Sequence, residues 1–270
     1  MPVPNDSRKY DAPSILTPDG MLSDAQASGA PLVEDAPDGV LVCYQSHFFD
    51  RVLDVRETEP LHGESDLLEF ELHRFTDLDA DADVDTDAEL AVLGHFGIGS
   101  PTTAILMELL QSAGTEAFLS VGWSGCLQPD VPQSHYLVVD EAIRDEGVSH
   151  HYLPHSERID ASDAMVAELE HAVEAAGGKF EVGATWTTDA LFRETVPEIE
   201  RYAEDGVLAV DMEAAATFAV GDYRGLDVGS LFLISDYLTT DDWDPVFGES
   251  PDVVDALPVA MEALAGVLGR

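Results

Sequence analysis

Positive charge is what this chain has least of. Twelve lysines and arginines stand against 54 aspartates and glutamates, giving a formal net charge of −42 over 270 residues, and Lys9 and Lys179 are the only lysines. A surface of that sign repels nucleic acid, which proteins grip by neutralising phosphates with Lys and Arg, and it repels anionic membrane surfaces. Both partner classes are excluded as expectations. Cysteine is nearly missing: Cys43 and Cys126 are too few for a disulfide framework and read as buried thiols. No run of 18 apolar residues occurs, and the opening MPVPNDSRKY has no signal-peptide core, so the expected location is cytoplasmic. Self-repulsion of this size is relieved by screening ions, which reads as adaptation to a high-salt cytoplasm and not as function.

What is present is a globular composition, 45% hydrophobic, in a chain long enough to bury a proper core. Residues 1–38, rich in Pro, Asp, Ser and Gly, read as an irregular N-terminal arm. From residue 39 onward β-type and α-type segments alternate without repeat or linker, which predicts one α/β domain over 39–270. GVLVCY (39–44) predicts a first strand, HFFDRVLDV a helix, LLEFELHRF (67–75) a half-exposed strand and ELAVL (89–93) another. Further on, EAFLSVGWSGCL (116–127) predicts a strand that breaks at Gly122–Gly125. DAMVAELEHAVEAAG (163–177) and residues 252–268 predict helices, and FEVGATW (180–186) a strand.

The most informative stretch is 207–236, VLAVDMEAAATFAVGDYRGLDVGSLFLISD. Two apolar runs joined by an alanine-rich helical segment predict a βαβ unit with parallel strands. Ligands gather beyond the carboxyl ends of strands in open α/β sheets. Asp211 and Glu213 follow one such end and Asp236 the next, so three carboxylates are expected on one rim. Structural alternatives exist for each: Asp211 as a helix cap, Glu213 as a partner of the helix dipole, Asp236 as a turn residue.

Three other segments raise specific chemistry. DLDADADVDTDAE (77–89) looks like a calcium loop, but Val84 stands where glycine is needed and Leu90 where glutamate is needed, so a solvated acidic loop is expected. Gly94, Gly97 and Gly99 lead into Ser100 as N-cap and Pro101, a turn that presents N–H groups to an anion or to sugar oxygens. His150, His151 and His155 invite a metal site, but Pro154 breaks any helix that would align them; no metal is expected.

Taken in order, GHFGIGSPTTAILMELL, VGWSG, AIRDEGVSHHYLPH, TWTTDALFRET, VLAVDMEAAA and LFLISD resemble the nucleoside phosphorylase family of the purine and uridine type. The resemblance implies a twisted, mixed central sheet flanked by helices. It also implies cleavage of the N-glycosidic bond of a nucleoside, with inorganic phosphate as co-substrate and no cofactor. It gives Glu213 the ribose hydroxyls, Met212 the floor under the sugar and Asp211 a place near the same sugar. Asp236 would bond or protonate the base, which tilts the reading toward purines. Gly122, Trp123, Ser124 and Gly125 would line the pocket, and Phe192 would stack on the base. Pockets in this family are completed across subunits, so a dimer-based homo-oligomer, up to a hexamer, is expected.

The phosphate site departs from the family pattern. Where the family has G-D-P-x-R, this chain has Tyr44-Gln45-Ser46-His47-Phe48-Phe49; where it has R-V-G-[ST], this chain has Ser120-Val121-Gly122-Trp123. Arg51, His47 and Arg144 are the candidates to replace the missing arginines. A hydrolytic nucleosidase on the same fold, with His47 or Asp50 as base, and a non-catalytic nucleoside-binding protein are the alternatives.

Overall fold

The computed structural model describes residues 6–28, 33, 36–61, 69–78, 86–240, 242–246 and 253–270. A short 3-10 helix (Ser7–Asp11) and α1 (Pro18–Ser28) precede β1 (Gly39–Cys43), α2 (Ser46–Val55), β2 (Thr58–Leu61), β3 (Glu71–Phe75) and β4 (Leu90–Gly94). Next come α3 (Ser100–Ala113), β5 (Ala117–Cys126), β6 (Tyr136–Asp145), α4 (Ser149–Tyr152), β7 (Arg158–Asp160), α5 (Asp163–Ala175) and β8 (Phe180–Thr188). After a 3-10 turn (Leu191–Arg193) follow α6 (Val196–Glu204), β9 (Ala209–Asp211), α7 (Ala214–Arg224), β10 (Asp227–Leu238), β11 (Trp243–Pro245) and α8 (Val253–Leu268).

The strands form one mixed sheet ordered β11-β10-β6-β8-β9-β5-β1-β4-β3-β2, with β7 on β6. A second pairing of β10, to β5, closes β5, β10, β6, β8 and β9 into a ring of hydrogen-bonded neighbours. Helices α2, α5 and α8 cover one face, meeting Leu41, Leu119, Val121 and Leu231. Helices α3 and α7 cover the other, over Val40, Phe118 and Phe232. Under α6, Trp186, Tyr202 and Val210 make a third cluster.

Helix α7 owes its place to its small residues. All eight positions from Ala214 to Gly221 are buried, and three successive alanines combine high helix propensity with little bulk. A Cβ on Gly221 would stand 2.5 Å from Val228, so only glycine lets the helix lie this close to β10. Gly225 then ends the helix at φ 70°, the left-handed conformation that costs glycine nothing.

Four sequence expectations change. The stretches around 209–211 and 227–238 are not a parallel pair. They flank β5, with β10 parallel to it and β9 antiparallel, because the chain returns from α7 on the far side of β5. Strand β5 runs through Gly122–Gly125 without a break, paired with β10 throughout and at Gly125 also with β9. Gly99, at φ 104°, is the cap of α3, while Ser100 is its first residue and donates from its hydroxyl to Met212 O at 2.7 Å. The N-terminal lead-in is not wholly irregular: α1 packs on α3, and Tyr10 donates to His150 O at 3.0 Å. The region 71–75 is a strand as expected; residues 79–85 of the acidic loop lie outside the described residues.

One close contact sets a stability prediction. A Cβ on Gly94 would lie 2.3 Å from the ring of Phe49, itself fully buried. Overpacking of this kind costs about 1–3 kcal/mol, and Gly94→Ala should fall at the upper end because the obstacle is a rigid ring. Thermal or urea unfolding in molar KCl measures it; an unchanged midpoint would mean that α2 shifts freely.

Candidate active site

The site is assembled where β5, β9 and β10 end. Gly125 pairs with Val210 on one side and with Asp236 on the other. A Cβ at Gly125 would lie 3.1 Å from Val210 Cγ1 and 3.3 Å from Asp236 Oδ2, so Asp236 shares a face with Val210. Side chains alternate along a strand, so Asp211 projects to the opposite face, toward α7. The carboxylates predicted to meet therefore reach one rim from the two faces of the sheet, on strands about 10 Å apart across two strand spacings.

On the α7 side, Asp211 is a structural anchor. Its Oδ1 accepts from Thr187 Oγ1 at 2.7 Å and Thr185 Oγ1 at 3.2 Å, and its Oδ2 accepts from the N–H groups of Glu213 (2.7 Å) and Ala214 (2.6 Å). Both oxygens are taken by the protein, so the helix-cap alternative describes this residue, and it orients Glu213 without facing a ligand. Removing it would strand two buried hydroxyls and two N–H groups. Asp211→Ala should therefore lose about 2–4 kcal/mol in denaturant unfolding, whereas a loss under 1 kcal/mol would refute the anchoring role.

Glu213 occupies the cap position of α7 in a non-helical conformation, but its side chain makes no cap bond. Its Oε1 accepts instead from Gly99 N–H at 2.6 Å. The glycine turn read as an anion cradle thus receives a carboxylate of the protein itself, tying the starts of α3 and α7 together. Burial first, then the neighbouring Asp211 charge, pushes Glu213 up to about 8. Tyr44 is buried nearby, its hydroxyl accepting from Thr103 Oγ1 at 3.2 Å; burial first, then the Glu213 charge, raises its pKa. Met212, between the two acids, is only half-buried.

On the other face, Asp236 is 9% exposed. It accepts from Ser235 Oγ and, at 2.9 Å, from Trp243 Nε1 on β11. Glu194 is beside it, and burial together with the Asp236 charge raises its carboxyl to about 7. Glu194 precedes α6 and follows the turn that carries Phe192, which is 94% exposed and stacks on no ring among the described residues. Trp123 meets Phe48 edge-on at 4.9 Å and His47 at 6.1 Å.

The candidate phosphate residues do not converge on this rim. The Arg144 guanidinium, 6% exposed, donates to Ser149 Oγ, Ser156 Oγ and the carbonyls of Leu153 and Pro154. It pins the loop after α4 and is not offered to an anion. Arg51 is 3.7 Å from Asp54 on α2, and of the three only His47 borders the Gly122–Gly125 segment. Among the described residues, no group of three or more His, Cys, Asp or Glu is arranged to hold a metal ion.

Tyr44, Gln45, Glu194 and Trp243 were not singled out as site residues from sequence. Tyr44 and Gln45 follow the first strand and carry the usual signal of a strand end. Trp243 reaches Asp236 through a three-residue strand for which no hydropathy pattern exists.

The fold has known counterparts. A structure of uridine phosphorylase from Vibrio fischeri superposes with a TM-score of 0.66 at 23% identity, covering 87% of this chain and 93% of that one. Guanosine phosphorylase of Halorubrum lacusprofundi is 32% identical over 135 residues, 50% of this chain and 56% of that protein. Uridine phosphorylase of Treponema pallidum is 29% identical over 179 residues, 62% of this chain and 69% of that protein. The chain thus spans little more than half the length of the first of these curated relatives. A family model described as the phosphorylase superfamily matches residues 86–270, which include Glu213, the Gly122–Gly125 segment and Asp236, and the chain belongs to that superfamily.

Proposed function

We propose that the protein breaks the N-glycosidic bond of a nucleoside and prefers purine nucleosides. The observation that carries this reading is the carboxylate of Glu213, buried to 8% exposure and aimed by Asp211 and Gly99 at the rim beside a half-buried methionine. A carboxylate so held suits vicinal sugar hydroxyls, whose bonds to it are charge-assisted, and Met212 offers an adaptable apolar floor. A nucleoside lying across the end of β5 places its base toward Asp236 and Glu194. The departing base gains negative charge as the sugar becomes cationic, and an acid there lowers the barrier by protonating it. The names of relatives, guanosine phosphorylase and uridine phosphorylase among them, support the substrate class; the paired acids at the base end support the purine preference. Phe192, exposed on its turn, is positioned to close over the base or to meet a second copy of the chain in a dimer-based homo-oligomer.

The test is a panel of purine and pyrimidine nucleosides incubated with the full chain in molar KCl, scoring free base by chromatography. Release of purine bases is expected. Release of pyrimidines alone would remove the purine preference, and no release from any nucleoside would remove the reading itself.

A further inference from the structure

The turn that brings the Gly99 N–H to Glu213 has little main-chain rigidity of its own. It spans residues 95–99 between β4 and α3, and it contains Gly97 at φ 86° and Gly99 at φ 104°, residues with wide backbone freedom. Among the described residues, no main-chain hydrogen bond involves residues 95–98. Side chains fix the near end instead. Phe96, 8% exposed, meets Tyr44 edge-on at 5.5 Å, and His95 is clasped from two sides.

His95 has φ 57°, the only non-glycine residue with a positive φ among those described. A residue with a Cβ keeps that conformation only where its surroundings hold it. Its Nδ1 is 2.7 Å from Glu71 Oε1 on β3, and its Nε2 is 2.9 Å from Asp50 Oδ1 on α2. Its ring also lies 4.8 Å from that of Phe49 on α2. Ionised carboxylates only accept hydrogen bonds, so both ring nitrogens carry hydrogen and the side chain is an imidazolium. The bond to Glu71, outweighing burial and aided by Asp50, raises its pKa from 6.5. The titratable groups around it are Asp50 from α2 and, from β3, Glu71 together with His73, whose Nε2 is 3.4 Å from the other Glu71 oxygen.

Resting on the reading that Glu213 holds the sugar, we propose that His95 is a positioning residue: as an imidazolium between Asp50 and Glu71 it clamps the 95–99 turn, so that the Gly99 N–H keeps Glu213 aimed at the substrate. The charge is the working part of the clamp. Without its second hydrogen, one ring nitrogen sets a lone pair against a carboxylate oxygen, and the left-handed backbone loses a restraint. Because the folded value is raised, the clamp is complete below pH 6.5 and is lost as pH rises through that elevated value.

The experiment compares the full chain with His95→Asn in molar KCl. Asparagine accepts the left-handed backbone and carries no charge. With the purine nucleoside that gives most base, kcat/KM is measured from pH 6 to pH 9.5. The parent-to-variant ratio should be about tenfold at pH 6 and shrink as pH rises; the titration of Glu213 is common to both proteins and cancels. A ratio that is constant across the range, at tenfold or at one, overturns the clamp. Glu71→Gln keeps an acceptor for the Nδ1 hydrogen and removes the larger source of the raised pKa. It should move the decline to lower pH, and a decline at unchanged pH overturns the Glu71 contact as its cause. Exchange of the Gly99 amide proton, followed by NMR at pH 6, separates this proposal from the nucleoside reading. It should be about tenfold faster in His95→Asn. Equal protection overturns the clamp even where nucleosides are cleaved. Faster exchange with no base released by the parent supports the clamp and removes the nucleoside reading alone.

Discussion

Replacing Glu213 with glutamine should lower kcat/KM by at least about a hundredfold, because two charge-assisted bonds to sugar hydroxyls, each worth roughly 1.5–3 kcal/mol, become neutral ones. The same variant should be more stable than the parent at alkaline pH. Burial and Asp211 raise the Glu213 carboxyl from 4.5 to about 8 in the folded chain. Between those values the native state keeps a proton that the unfolded state has released, so this group's contribution to stability falls as pH rises from about 5 to about 8. Glutamine keeps an oxygen for the Gly99 N–H and escapes that loss. Melting temperatures of the two proteins should therefore coincide near pH 5 and separate by pH 9, by an amount equivalent to about 3–5 kcal/mol at most. A parent that outlasts the variant at both pH values would mean that Glu213 is ionised and satisfied in the free protein. Catalysis adds a matching signature: an acceptor for hydroxyls must be ionised, so kcat/KM should climb through neutral pH toward 8.

The second large effect is expected at Asp236. Asp236→Asn keeps the shape and still accepts the Trp243 indole N–H, but it removes the proton exchange on which base departure depends, a loss of about 10²–10⁴ in kcat. KM should change little, and the melting temperature should stay within a few degrees. Trp243→Phe is the discriminating companion. It removes the 2.9 Å bond to Asp236 without touching the carboxyl, so it should lower kcat far less than Asp236→Asn. Were the two variants equally impaired, the damage would trace to the geometry of β11 and not to proton exchange. Glu194, held at about 7 by burial and the Asp236 charge, should titrate lower once that charge is gone, and the limb it governs should move to lower pH.

What could be read from the sequence follows from the range of the signals involved. Strands β1, β4 and β8 and helices α2, α3, α5 and α8 are legible because their periodicity is local and strong. The direction of β9 against β10 is not. A strand–helix–strand order predicts parallel neighbours, and only the insertion of β5 between them, a contact across some 85 residues of chain, makes them antiparallel. The site shows the same split. The D-M-E segment and the I-S-D strand end announce an acidic rim, yet sequence could not tell that Asp211 is consumed by Thr185, Thr187 and the start of α7 while Glu213 stays presented. Nor could it tell that the glycine turn before α3 would meet a carboxylate from α7. Arg144 was a candidate to replace the missing phosphate arginines, and only its four partners on and after α4 reveal a brace. Strands β2, β7 and β11, and helix α6, went unread: the strands are three or four residues long, too short for alternation to register.

The closed circuit of β5, β10, β6, β8 and β9 has one more consequence. A strand in such a circuit has neighbours on both sides and no frayed border from which pairing can peel away. Amide protons along β5 and the middle of β10 should exchange with solvent only when the whole molecule opens, while those of β2 and β11 at the outer borders exchange through local opening. The sheet beneath Glu213 and Asp236 is then among the last parts of the protein to melt.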